Sequence, residues 1–366
     1  MKVLHLPNVV SGHVQGLAQG ERDLGIASST LNLYGNQYGF EADINLGLEK
    51  RGKLGKLVGH LEALAKYRNG YDVYHFNYGS TLLHFAKYNI SHLDIGLFSK
   101  DAVKIFTYQG CDARQKYPTM ERLKIQGNSF AACFEKDCYD GACNSGRLDL
   151  WRRRSIEKVD EYADHIYAQN PDLLYFLPPE KSSFLPYCIA DEGLLRSKED
   201  FFEGGKVRIA HAPTQRAVKG TSYILKALEK LADEFPGVVE VDLIEGVSRK
   251  ELLRRLAKAD LFVDQVLVGW YGVVSVEALF LGVPTAVFIN DDHLQFIPEE
   301  MVKGLPFIRI DKQSIYEKLR AYVRQREQAE GLKRVGLEYA HAWHSRKNVA
   351  QLTVSHYRKC LKEKQL

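Results

Sequence analysis

The chain lacks any uninterrupted apolar run of the roughly 18 residues that a bilayer-spanning helix requires. Its opening, MKVLHLPNVV, is too short and too soon broken by Pro7 to read as a secretory signal, and reads instead as a first strand. Internal repeats, low-complexity tracts and a long disordered linker are also missing. Charge of one sign is not in large excess: the net charge is +4. That balance permits an anionic ligand or a membrane surface and demands neither. With no recognised nucleic-acid module either, a nucleic-acid partner is not expected. The expectation is a cytoplasmic enzyme, with peripheral contact at the inner face of the membrane left open.

What is present is an ordinary globular composition, 45% hydrophobic and 26% charged, in 366 residues, enough for two domains with separate cores. Strand-like runs fall near 2–6, 27–33, 72–78, 104–109, 165–169 and 183–187, and again near 207–212, 238–244, 261–265, 285–289 and 306–310. Helical patterns alternate with them, which predicts an α/β fold of parallel sheets covered on both faces. The charged loop Ser197–Gly205 separates the two series. We therefore expect a first domain over 1–195, with a cysteine-bearing insertion at about 111–150, and a second over 203–345. A last helix over 346–366 carries Val349, Leu352, Val354, Tyr357 and Leu361 at mixed helical spacing.

The most informative stretch is Ala259–Ile289, which reads as strand, turn, helix and second strand. The turn Gly269-Trp270-Tyr271-Gly272 opens onto a helix whose one carboxylate near its start is Glu277. A helix N-terminus carries about half a positive charge and unpaired N–H groups, so it holds phosphate, and a glutamate deeper in the helix accepts from ribose hydroxyls. An ordinary tight βαβ turn is the plainer reading of the same spacing. Some fifty residues upstream, the strand KVRIAHAP runs into the loop TQRAVKG, then into a helix with Ile224, Leu225, Leu228, Leu231 and Phe235 on one stripe. Pro236-Gly237 stops that helix. Arg216 and Lys219 thus stand at the carboxyl end of a strand, where open α/β sheets bind ligands. Two cations there suit a diphosphate leaving group.

Together these stretches resemble the carboxyl-terminal half of a retaining glycosyltransferase of the GT-B fold, similar to family 4 (the bacterial group 1 type). That family has a basic residue followed by Lys-Gly and a helix, here RAVKG, and a turn–helix E-G-F-G-x4-E-A-hydrophobic-x2-G-x-P, here GWYGVVSVEALFLGVP. The resemblance covers most of the chain and is strongest from about Val207 to Ile289. It implies two Rossmann-like domains facing across a cleft, with the terminal helix crossing back to the first. The first domain presents an acceptor, a glycan or lipid-linked hydroxyl, and the second holds a nucleoside-diphosphate sugar. By resemblance Glu277 binds the ribose, and Gly246 and Val247 lie against the base. Trp270, Tyr271, Gly272 and Val273 form the phosphate turn, aided by Gly12 and His13 of the first turn. Arg216 and Lys219 assist the leaving group with no obligatory metal. Asn77, Gln109 and Asp112 stand at the acceptor-side strand ends. Two departures matter. The first glutamate of the family's E-x7-E pair, which contacts the donor sugar, is Gly269 here. Gln109 occupies a position where the family often has histidine. Both departures also suit a noncatalytic relative that binds a nucleotide or glycan, and they argue against a nucleotide-sugar 2-epimerase.

Six cysteines remain, three of them spaced C-x4-C-x4-C in CFEKDCYDGAC. Cys111, Cys133, Cys138 and Cys143 suit a structural four-thiolate zinc site, while free thiols and disulfides stay open. Basic residues flank this insertion: Arg114, Lys116, Arg122 and Lys124 before it, and Arg152, Arg153 and Arg154, beside Trp151, after it. They read either as a surface for an anionic acceptor or phospholipid, or as a solvated helix face paired with Glu157, Asp160 and Glu161.

Overall fold

Strands that are apolar along their length need cover on both faces, and in this protein helices supply it. A computed structural model describes residues 1–9, 12–35, 39–126, 131–189 and 201–365. The chain forms two α/β units. The first comprises Met1–Gln115, Arg147–Ala190 and His344–Leu366, and the second Lys116–Gly146 and Asp191–Trp343.

The first unit is built on β1 (Lys2–Leu6), β2 (Ala27–Asn32), β3 (Ile44–Asn45), β4 (Val73–Asn77), β5 (Val103–Tyr108), β6 (His165–Ala168) and β7 (Ser182–Phe184). All pair in parallel, in the order β3-β2-β1-β4-β5-β6-β7. The period of two along a strand sends Tyr74 and Phe76 into one core with Leu4, Leu6 and Phe106. Val73, Val103 and Ile105 enter the opposite core, closed by Leu17 of the helix Gly12–Asp23 and by Val349, Val354 and Tyr357 of the helix Arg346–Lys364. The last helix of the chain thus belongs to the first unit. Gly20 of the helix Gly12–Asp23 packs closely against that last helix. A Cβ there would lie 2.4 Å from the Arg346 carbonyl oxygen and 2.8 Å from Ala350 Cβ.

This second core is also polar. His5 Nε2 lies 2.9 Å from Glu21, and His75 sits between Tyr357 Oη and Thr107 Oγ1, 2.6 Å from each. Hydrogen bonds among such groups offset part of the cost of burying them, while His5 Nδ1 has no hydrogen-bond partner among the described residues.

The second unit carries β8 (Val207–His211), β9 (Val239–Leu243), β10 (Leu261–Val263), β11 (Thr285–Val287) and β12 (Ile308–Arg309), again all parallel, in the order β12-β11-β10-β8-β9. Ile224, Leu228 and Leu231 of the helix Thr221–Glu234 cover one face, and Leu256, Ala278 and Val283 the other. Residues 116–146, expected within an insertion of the first domain, pack with this unit instead. Ala132 and Cys138 join its core beside Val266 and Leu267, and the Ala132 N–H donates to the Leu267 carbonyl at 3.1 Å. The expected boundary loop lies outside the described residues over 197–200.

Candidate functional site

In the five-stranded sheet the chain runs from β8 outward to β9 on one side and to β10 on the other. The crevice at the carboxyl ends of β8 and β10 is therefore a topological switch point, where open α/β sheets take ligands. Loops from three strands meet there.

The loop after β8 leads to the short helix Arg216–Lys219, which ends at Gly220 with φ +73°. A Cβ on Gly220 would lie 2.6 Å from Val266 Cγ2, so both its backbone and its surroundings call for glycine. Lys219 Nζ reaches Asp264, just past β10, at 2.6 Å. Asp264 also accepts from the Gly272 N–H and the Ser275 hydroxyl, each at 2.7 Å. Burial by itself would raise the Asp264 pKa. The Lys219 charge and the hydrogen bonds from Lys219, Ser275 and Gly272 outweigh it and hold the carboxyl below its usual range.

The loop after β9 supplies Glu245, which accepts from Arg216 Nε at 2.8 Å in a two-pronged ion pair. Gly246 follows, exposed, with φ +65°, and Val247 is half-buried. Ser248 caps the helix Arg249–Leu256, and Arg249 Nε donates to Glu277 Oε1 at 2.7 Å. Glu277 is 2% exposed. Burial raises its pKa more than the Arg249 cation lowers it. Arg216, Lys219 and Glu277 are thus each held by a partner of opposite charge at the carboxyl end of one sheet.

Glu277 lies in the helix Val273–Phe280, whose N-cap is Gly272. The N–H groups of Val273 and Val274, in its first turn, have no carbonyl within the helix to bond. The Gly272 N–H, expected to serve a phosphate, is held by Asp264. Trp270 and Tyr271 turn their side chains into the core: their rings stack 4.4 Å apart, and Tyr271 Oη lies 3.0 Å from Tyr339 Oη. They shape the turn from behind. At Gly269, φ is +78°, and a Cβ would lie 2.9 Å from Asn290 Cβ and 3.1 Å from His293 Cε1. Both the backbone and the neighbourhood at 269 thus favour glycine over a residue with a side chain.

In the first unit, Gly12 begins the helix Gly12–Asp23 and is buried. The His13 ring is buried, its Nδ1 accepting from the Cys188 N–H at 2.8 Å. Burial, then the neighbouring His5 and His344, push its pKa down to about 3, so it stays neutral. Asn77, at the end of β4, donates through Nδ2 to the His75 carbonyl at 3.1 Å. Asp112 closes the turn after β5 by accepting from the N–H groups of Gln109 at 2.9 Å and Gly110 at 2.6 Å. Next to Gln109, past β6, stands Gln169, which the sequence reading missed. Asn77 Oδ1, Gln109 Nε2 and both carboxamide atoms of Gln169 are buried with no partner among the described residues. Three adjacent strand ends therefore carry carboxamides with unused hydrogen-bonding capacity.

Cys111, Cys133, Cys138 and Cys143, the candidate zinc ligands, are free cysteines in the structure. Among the described residues no group of three or more His, Cys, Asp and Glu side chains is placed to hold a metal ion. The Cys138 thiol is buried and donates to the Ala132 carbonyl at 3.2 Å, and Cys111 accepts from Arg114 at 3.4 Å. The flanking basic cluster is not one surface either. Arg114 pairs with buried Asp172, Lys116 is buried among Glu135 and Asn144, and Arg152 pairs with buried Asp149.

No protein-family model and no curated protein sequence matches the chain. Solved structures do match along its whole length. Sucrose-phosphate synthase from Thermosynechococcus elongatus superimposes with a TM-score of 0.63 at 15% identity, covering 99% of this chain and 100% of that one. Anabaena HepE in complex with UDP and glucose gives 0.63 at 11% identity, covering 98% and 100%. UDP-GlcNAc 2-epimerase from Neisseria meningitidis, bound to UDP-GlcNAc, gives 0.54 at 14% identity, again covering 98% and 100%. At these identities the likeness is one of fold, and the chain has the two-sheet α/β fold called GT-B.

Proposed function

We propose that the protein is a retaining glycosyltransferase that moves a sugar from a nucleoside-diphosphate sugar to an acceptor hydroxyl in glycan or glycolipid synthesis. The observation that supports this reading is topological: Arg216 and Lys219 follow β8, and Glu277 lies in the helix that follows β10, the neighbouring strand at the switch point of the second sheet. Uridine is the base we favour, because UDP or a UDP-sugar occupies HepE and the epimerase.

In this reading the diphosphate lies against the first turn of the helix Val273–Phe280. Arg216, 57% exposed in its side chain, exchanges Glu245 for phosphate oxygens. Lys219 is fixed by Asp264 and needs no rearrangement to face the leaving group, and such preorganised charge lowers the barrier most. Glu277, oriented by Arg249, accepts from the ribose hydroxyls. The bond from the sugar's anomeric carbon to the phosphate oxygen breaks, and the acceptor oxygen bonds to that carbon on the same face. The acceptor's proton passes to the departing phosphate. Asn77, Gln109 and Gln169 offer hydrogen bonds suited to an uncharged, hydroxyl-rich acceptor.

Incubation with UDP-sugars tests this directly, because a transferase without acceptor releases some free sugar and UDP. Retention is read from the anomeric configuration of the product by NMR. The shared fold of the epimerase supports a second reading, in which UDP-GlcNAc alone is converted to its C2 epimer with no UDP released. Binding of UDP-sugars, seen as a rise in Tm, with neither reaction would identify a noncatalytic relative.

A further inference from the structure

We propose that the helix Lys53–Tyr67 is a membrane-docking element that seats its outer face in the headgroup region of an anionic lipid bilayer. The inner face of this helix is fixed in the first unit. Gly59, His60, Ala63, Leu64 and Tyr67 are buried, and the His60 ring lies between the Leu82 carbonyl and Tyr34 Oη, 2.7 Å from the latter. Gly59 packs so closely that a Cβ there would lie 2.4 Å from Leu48 Cδ2. With that face anchored, the helix cannot rotate its other side inward.

The other side is apolar. Leu54, Leu57, Val58 and Leu61 are 76%, 48%, 43% and 49% exposed. Their spacing of i, i+3, i+4 and i+7 aligns them in a single stripe. Scattered surface leucines need no explanation, but a contiguous stripe of large aliphatics marks an interaction surface.

The charges around the stripe indicate the partner. Between residues 50 and 68 the chain has six Lys and Arg and a single acid, Glu62, which is already paired with Arg51 at 2.9 Å. Lys50, Lys53, Lys66 and Arg68 are exposed. A second copy docking on this face through a two-fold axis would set the cationic ends of the helices against each other. An anionic bilayer offers both an apolar layer for the leucines and opposite charge for the lysines. The surface is independent of the transferase reading. If that reading holds, docking brings the first unit to a lipid-linked acceptor.

The test is co-sedimentation of the full chain with vesicles of phosphatidylcholine alone or mixed with phosphatidylglycerol, alongside light scattering of the protein without lipid. The wild type should pellet with the mixed vesicles and less with neutral ones, and binding should weaken as salt is raised. L57Q/L61Q should stay in the supernatant while keeping the wild-type Tm. K53Q/K56Q should bind roughly 25-fold more weakly, on the order of fivefold per cation. Wild-type protein left in the supernatant with mixed vesicles would overturn the proposal, as would L57Q/L61Q pelleting like the wild type. A wild-type dimer that L57Q/L61Q splits into monomers would identify the stripe as a self-interface and also overturn it.

Discussion

The Lys219 ammonium lies 2.6 Å from Asp264 Oδ1, bridging the chain that follows β8 and the chain that follows β10 across the switch point of the second sheet. Lys219 keeps 14% side-chain exposure while Asp264 has none. The pair therefore has one member facing outward and one locked inside.

That asymmetry separates two effects of mutation. Lys219→Ala removes the proposed leaving-group cation and strands a buried carboxylate. Transfer should fall by roughly 10²–10³-fold, and stability by about 3 kcal/mol. In Lys219→Met/Asp264→Asn no stranded charge remains, so most of the stability should return while transfer stays lost. Urea unfolding beside a donor-hydrolysis assay checks both. If the double variant recovered activity, Lys219 would have only a structural role.

Arg249 and Glu277 give a second handle. Glu277→Gln keeps the shape of the side chain and loses the charge that holds both Arg249 and the proposed ribose hydroxyls. A hydrogen bond to a charged group contributes about 1.5–3 kcal/mol, so affinity for UDP should drop roughly 10–100-fold. Glu277→Ala should cost more stability than Glu277→Gln, because it also leaves a gap in a buried position. Calorimetric titration with UDP, with Tm measured on the unliganded variants, distinguishes the binding role from the structural one.

Much of the fold was legible because buried parallel strands are nearly continuous apolar runs. Each run expected from the sequence matches a strand to within a few residues, whereas β3, two residues long, is too short to leave a pattern. The placement of Arg216 and Lys219 after β8 and of Glu277 in the helix after β10 was legible through local motifs. Asp264 and Arg249 were not, because each acts through a partner distant in sequence, which no local spacing encodes. The cysteine spacing suggested ligands, but a thiol is also a small apolar side chain, and Cys138 is used that way. The packing of residues 116–146 with the second unit is a tertiary fact invisible to periodicity. Trp270 and Tyr271 were placed in the right turn, but only the structure shows their rings pointing away from the crevice.

Gly269→Glu, a change that would introduce the acidic pair of the family the sequence resembles, should impair the protein. It imposes a left-handed backbone on a residue with a side chain and drives its Cβ to 2.9 Å from Asn290 Cβ. Strain of this kind costs about 1–3 kcal/mol. Tm should fall, and turnover of UDP-sugars should not rise. A variant as stable as the wild type with increased donor hydrolysis would show that the turn readily adapts to a side chain.

Metal removal should have little effect. With no group of potential ligands gathered among the described residues, overnight treatment with a strong zinc chelator should leave Tm unchanged. Thiol titration of the denatured protein should count six cysteines, all of which are thiols in the structure. A chelator-induced fall in Tm, reversed by zinc, would contradict this.

Acid should unfold the protein through its buried histidines. Burial, the largest cause in each case, brings the pKa of His13 and His165 down to about 3 and that of His211 and His344 down to about 4. In the unfolded chain these rings titrate near about 6.5. Above that pH both states are neutral and stability is unaffected. As pH falls from there toward 4, the unfolded state takes up protons that the native state refuses. Each ring then costs about 1.4 kcal/mol of stability per pH unit. Tm should be flat from pH 8 to 7 and drop steeply below 6 at constant ionic strength. His344 Nδ1 donates to the Tyr187 carbonyl at 2.8 Å, and His344→Gln, whose amide can donate there without titrating, should make the acid limb shallower by one proton. A Tm that stays level down to pH 5 would mean that water reaches these rings in the native state.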